Sequence, residues 1–79
     1  MRREFLEPLC RKRAEYIFQE ALNLYGYPRT LDGINRMKEY CYAKLEDFNH
    51  LEKALIEEEL KKLLRDYVAE LLDYNAMYQ

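Results

Sequence analysis

Glycine and proline, the residues that most often interrupt helices, are scarce in this chain. The 79 residues contain two of each, and neither type occurs after Gly33. A turn-rich β fold needs these residues at its turns, whereas Leu, Glu, Lys, Arg and Ala, which are abundant here, are strong helix formers. The sequence therefore predicts an all-α fold. Its length predicts a single domain over residues 1–79, because two separate cores would each be too small to be stable alone.

The first helix is indicated by an apolar stripe and by a clear end. We expect it to begin near Pro8, because the missing N–H of proline would be unpaired in a first helical turn anyway. Gly26 can adopt the left-handed conformation that ends a helix, and Pro28 prevents the helix from resuming. The stripe has the three- and four-residue spacing of one helix face and consists of Cys10, Ala14, Ile17, Phe18, Ala21 and Tyr25.

A second helix follows after a short connection. Thr30 or Asp32 can cap it by accepting a hydrogen bond from a free backbone N–H. The short connection predicts that the two helices pack as an antiparallel hairpin, with Tyr16 level with Tyr40. The apolar stripe of the second helix is Ile34, Met37, Cys41, Leu45 and Phe48.

The region around residue 49 has two interpretations. Asn49 followed by Glu52 is typical of a helix N-terminus and favours a break and a third helix. Against a break, the apolar stripe continues at helical spacing as far as Tyr74, so that the third helix would be continuous with the second. We expect the break, and thus a small three-helix bundle made of a helical hairpin and a longer amphipathic third helix. A third helix over residues 50–75 would be about 39 Å long against about 27 Å for the first, which leaves uncovered apolar surface at Tyr74, Met77 and Tyr78.

Residues that could carry chemistry are few. His50 is the only histidine, and Cys10 and Cys41 lie on core stripes, where a thiol has no activating base. Glu57, Glu58 and Glu59 precede Lys61, Lys62 and Arg65 at spacings typical of a solvated helix face. We therefore predict that the protein is not an enzyme and binds no metal or cofactor.

The charge is unevenly distributed along the chain. The net charge is −2, but residues 1–29 carry six basic and four acidic groups, whereas residues 50–79 carry four and seven. The amino-terminal basic cluster either makes the surface soluble or contacts an anionic partner such as nucleic acid. It consists of Arg2, Arg3, Arg11, Lys12 and Arg13.

Tyrosine is unusually frequent, with eight residues. Tyrosine is enriched in protein interfaces because it combines a large apolar area with a polar tip. We predict a non-catalytic protein–protein interaction module, a small adaptor or inhibitor comparable in build to accessory proteins of phages and mobile elements, that binds another protein or forms a homodimer. The alternatives are a nucleic-acid-associated protein that uses the basic cluster, or a subunit that folds only within a larger assembly. The predicted partner-binding residues are Tyr16, Tyr40, Tyr42, Tyr67, Tyr74, Met77 and Tyr78.

The sequence also bears on cellular location. The chain starts without the apolar core of a secretory signal and contains no run long enough to cross a bilayer. Two unpaired cysteines fit a reducing compartment. We therefore expect a cytoplasmic protein that does not associate with membranes.

Overall fold

Three α-helices and one short 3-10 turn make up the part of the chain that the computed structural model describes, namely the backbone of residues 3–78 and the side chains of residues 5–73. The helices are α1 (Arg3–Tyr25), α2 (Leu31–Lys44) and α3 (His50–Tyr78), and the 3-10 turn (Leu45–Asp47) follows α2. No strand occurs within these residues. The predicted all-α three-helix bundle is confirmed.

The start of α1 differs from the prediction. The helix begins at Arg3, so the predicted start near Pro8 is wrong, and Pro8 lies inside the helix. Proline at this position removes the hydrogen bond that its N–H would donate to the carbonyl of Glu4. The extra turn contributes Leu6, which is buried in the core and extends the stripe of α1 by four residues beyond Cys10. Burial of this side chain stabilises the extra turn.

The predicted boundaries between α1 and α2 are confirmed. Gly26 has φ +68° and Tyr27 has φ +54°, and the Tyr27 N–H donates to the Leu22 carbonyl over 2.9 Å. This bond is typical of a helix that ends on a left-handed residue. At the start of α2, the hydroxyl of Thr30 accepts a hydrogen bond from the Gly33 N–H over 3.1 Å.

The predicted break between the second and third helices is also confirmed. Phe48 is extended, with φ −112° and ψ 157°, which interrupts the helical hydrogen bonding. The side chain of Asn49 then accepts a hydrogen bond from the Glu52 N–H over 2.9 Å. An Asn at this position satisfies a backbone donor that the first turn of α3 would otherwise leave unpaired.

The core contains residues from all three helices and from the 3-10 turn. Both cysteines are buried and free, as the sequence predicted. α1 packs most extensively against α3, whereas α2 and α3 share the smallest of the helix interfaces. This uneven packing leaves a furrow between α2 and α3. The buried core residues are Leu6, Cys10, Ala14, Ile17, Ala21, Leu22, Met37, Cys41, Leu45, Leu55, Ile56, Leu60 and Leu64.

Candidate protein-binding surface

The coverage of α3 decreases along the helix. Ile56 and Leu60 are fully buried, Leu63 and Leu71 are half-buried, and Leu72 is 64% exposed. The apolar surface of α3 therefore becomes progressively uncovered toward its carboxyl-terminal end. The side chains of Tyr74, Met77 and Tyr78, predicted to bind a partner, lie outside the described residues.

An apolar groove lies between α2 and α3. We call it the α2–α3 groove. Leu31 and Ile34 line it from α2, and Leu64 and Val68 line it from α3. Leu31 is the most exposed of these, at 76%. The cavity has a volume of about 350 Å³ and is open to solvent, and its volume is near the lower end of small-molecule sites.

Three cations border this groove. We call Lys38, Lys61 and Arg65 the basic rim, and Lys38 lies on α2 while the other two lie on α3. Lys61 is 4.0 Å from Glu57 and Arg65 is 3.8 Å from Asp66. These separations are at the outer limit of an ion pair between exposed groups, where the interaction is weak. The rim therefore retains positive charge that an acidic partner could use.

Tyr42 forms one end of the groove. The Nζ of Lys38 lies 5.8 Å from the centre of the Tyr42 ring, which is within the range of a cation–π interaction. Burial, with smaller contributions from Glu57 and Cys41, raises the pKa of the Tyr42 hydroxyl. The phenol is therefore neutral at physiological pH and available as a hydrogen-bond donor or acceptor beside apolar surface.

The other predicted tyrosines do not form one cluster. Tyr40 donates a hydrogen bond to Glu20, which raises the pKa of Tyr40, and its ring packs against Tyr25 at a centroid distance of 5.9 Å. The Tyr67 hydroxyl donates to the Pro28 carbonyl over 2.7 Å. Tyr40 and Tyr67 thus connect elements within the chain.

Tyr16 has a different environment from the one predicted. Its side chain is 71% exposed and lies beside Ile17 and Phe48, and Tyr40 lies elsewhere against Tyr25. The expectation that Tyr16 and Tyr40 lie level is wrong. The register of a helical hairpin depends on the conformation of its connection, and the two consecutive left-handed residues found here are not evident from helical spacing.

Two arginines of the amino-terminal basic cluster lie near carboxylates of α3. Arg11 lies 3.8 Å from Glu59 and Arg13 lies 3.4 Å from Glu52. The Arg13 guanidinium also lies 5.4 Å from the centre of the Phe48 ring. Lys12 is exposed, and the side chains of Arg2 and Arg3 lie outside the described residues. The described part of this cluster thus connects α1 to the rest of the bundle.

The surroundings of the two cysteines and of Glu59 account for their properties without a catalytic or metal site. Burial raises the pKa of Cys10 and raises the pKa of Cys41 to about 11, so both thiols stay protonated at physiological pH. Glu59 lies 3.5 Å from Lys62 as well as facing Arg11. Within the described residues, no group of three His, Cys, Asp or Glu side chains could hold a metal ion.

The α2–α3 groove itself was missed by the sequence analysis, although a signal for it exists. Leu31, Ile34, Lys38 and Tyr42 follow each other at spacings of three, four and four residues, which places them on one side of α2. Leu64, Val68 and Leu72 form a matching row on α3. Two such rows beside the main stripes indicate a second apolar face, but only the packing of α2 against α3 shows that they meet.

None of the helices in the described residues combines the length and apolar character needed to cross a bilayer. Comparison of the chain with protein-family models, with curated proteins and with solved structures gives no match.

Proposed function

We propose that this protein is a non-catalytic protein-binding module, a small adaptor or inhibitor of the cytoplasm, and that the α2–α3 groove is its binding surface. The observation that carries the proposal is the exposed apolar lining of this groove. Leu31 is 76% exposed, and the half-buried Ile34 and Val68 line the groove with it. Contiguous apolar surface with a polar border typically marks an interaction site.

Other features support the same proposal. The buried thiols have raised pKa values, and a nucleophilic cysteine needs the opposite shift. Free cysteines at two core positions fit a reducing compartment such as the cytoplasm. Arg13 lies 3.4 Å from Glu52 and against the Phe48 ring, which leaves less of the amino-terminal charge for nucleic acid, so the interaction module is favoured over the nucleic-acid-associated alternative.

The test compares proteins captured from the source cells by tagged variants of the chain. In the groove variant, Leu31→Ser is combined with Val68→Ser, because both residues line the groove and neither belongs to the buried core. Leu24→Ser with Leu51→Ser is the matched control, because these leucines are 62% and 53% exposed and do not line the groove. We expect recovery of a specific partner to fall about tenfold for the groove variant only.

A second pair of variants tests the end of α3. If Tyr74→Ala with Tyr78→Ala abolishes capture and the groove variant does not, the binding surface is the carboxyl-terminal end of α3 and the assignment to the groove is wrong. If no variant changes the captured proteins, the proposed function is wrong. Sedimentation of the purified chain over a range of concentrations tests whether the partner is a second copy. An apparent mass that rises with concentration would identify it as one.

A further inference from the structure

We infer that the α2–α3 groove binds an amphipathic helix of another protein whose flanks are acidic; this inference rests on the proposed function and specifies the chemistry of the partner. The groove offers two properties together. Its floor is apolar, and both of its borders carry cations.

The apolar floor has the length of a helical ligand. The α2 side of the groove runs from Leu31 to Tyr42 and includes the polar residues Asn35 and Lys38. It corresponds to about 16 Å of helix axis. A helix that lies in such a groove presents apolar anchors at spacings of three and four residues over about three turns. Leu31, Ile34 and Val68 can contact these anchors, since all three line the groove.

The basic rim favours acidic residues on both flanks of that helix. Lys38 lies on the α2 border, and Lys61 and Arg65 lie one turn apart on the α3 border. The side chains of Lys61 and Arg65 are 66% and 75% exposed, and no carboxylate lines the groove among the described residues. The chain as a whole carries a net charge of −2, so this positive border is a local feature. Acidic residues on both sides of the apolar anchors would complement it.

The positive charge of the basic rim also makes a second copy of the chain a poor occupant of the groove. A two-fold symmetric dimer places the same patch on both subunits at the interface. A two-fold dimer packed through the groove would therefore place the six cations of two rims in one interface. Like charges across an interface are unfavourable.

Other anionic partners fit the groove less well. Nucleic acid would find an apolar floor between the cations, where phosphate contacts need polar surface. A membrane surface is flat on this scale and would not reach a concave floor. A helix with one apolar face and acidic flanks satisfies both the floor and the rim.

The test uses a display library of helical peptides. All members carry leucine anchors at positions i, i+4, i+7 and i+11, and the flanking positions vary among Glu, Lys and Gln. We expect selection on the 79-residue chain to enrich Glu-flanked peptides, and the affinity of the selected peptides to fall as ionic strength rises. Leu31→Ser should reduce their binding, whereas Leu24→Ser should not.

Charge-reversal variants then isolate the basic rim. Lys38→Glu, Lys61→Glu and Arg65→Glu together should weaken binding of the Glu-flanked peptides about tenfold or more and favour Lys-flanked peptides. The control reverses three cations outside the groove, with Lys12→Glu, Arg29→Glu and Lys62→Glu, and should preserve the preference for Glu. Circular dichroism of each variant checks that the helices are retained.

The possible outcomes distinguish the protein-binding function from the narrower inference that the groove binds a helix with acidic flanks. Groove-dependent peptides without a preference for Glu would overturn the acidic flanks and leave the protein-binding function in place. Failure to select any peptide that depends on Leu31 would overturn the helical occupant, while capture of a partner from cells still decides the proposed function. Enrichment of Lys-flanked peptides would overturn the inference that the flanks of the bound helix are acidic.

Discussion

At the scale of single residues, Cys41 shows how burial rather than a neighbouring charge sets chemical behaviour. The side chain has no exposed surface, and burial raises the pKa of the thiol from 9.0 to about 11. A thiolate would lose its hydration inside the core, so the folded state disfavours ionisation. The same argument applies in direction to Cys10, whose pKa burial also raises.

This shift makes the stability of the protein depend on pH in the alkaline range. Because the pKa of Cys41 is higher in the folded state, its contribution to the unfolding free energy is complete below about pH 9 and is lost as the pH rises toward 11. We expect the stability difference between the wild type and Cys41→Ala to shrink across this range. Urea unfolding at several pH values measures it. Tyrosines and lysines titrate in both proteins, so their contribution cancels in this comparison. A difference in unfolding free energy that stays constant between about pH 9 and 11 would contradict the prediction.

The sequence could predict features that depend on a few neighbouring residues. Gly26, Thr30 and Asn49 act at helix ends through their own backbone or through hydrogen bonds three residues away, so local patterns were sufficient. The start of α1 depends on the burial of Leu6 against other helices. The preference of proline for a first helical turn, which predicted a start near Pro8, takes no account of such packing. The α2–α3 groove likewise depends on how two helices pack, which helical spacing does not determine.

At the scale of elements, the junction between α2 and α3 decides the architecture. A continuous helix would carry Phe48 and Asn49 in helical conformation, whereas Phe48 is extended. The chain can therefore change direction, and α3 packs against α1 more extensively than against α2. Asn49 stabilises this arrangement by accepting the Glu52 N–H.

Removal of this cap should destabilise the bundle measurably. We expect Asn49→Ala to lower the unfolding free energy by about 1 kcal/mol, the usual effect of deleting an N-cap. Asn49→Asp keeps an acceptor oxygen and places a negative charge at the helix N-terminus, so it should remain close to the wild type. Thermal and urea unfolding followed by circular dichroism compares the three proteins. Equal stability of Asn49→Ala and the wild type would show that the cap does not hold the junction.

At the scale of the whole molecule, the distribution of charge controls which surfaces can meet a partner. The described arginines of the amino-terminal basic cluster face carboxylates of α3, with Arg13 near Glu52 and Arg11 near Glu59. The basic rim, in contrast, borders apolar surface. Arg11 and Arg65 both lie 3.8 Å from a carboxylate, so the two regions differ in the apolar surface beside their cations more than in how closely those cations are paired.

The masking of the amino-terminal cluster can be tested with heparin as a polyanion. We expect Glu52→Gln with Glu59→Gln, which removes the carboxylates near Arg13, Arg11 and Lys62, to elute from heparin at a higher salt concentration than the wild type. Glu39→Gln with Glu70→Gln removes the same charge from exposed positions and should shift elution less. Equal shifts for the two variants would mean that net charge alone governs retention and that the ion pairs between α1 and α3 mask nothing. A larger shift for the first variant would mean that the carboxylates of α3 withdraw the cations beside them, Arg11 and Arg13 included, from anionic partners.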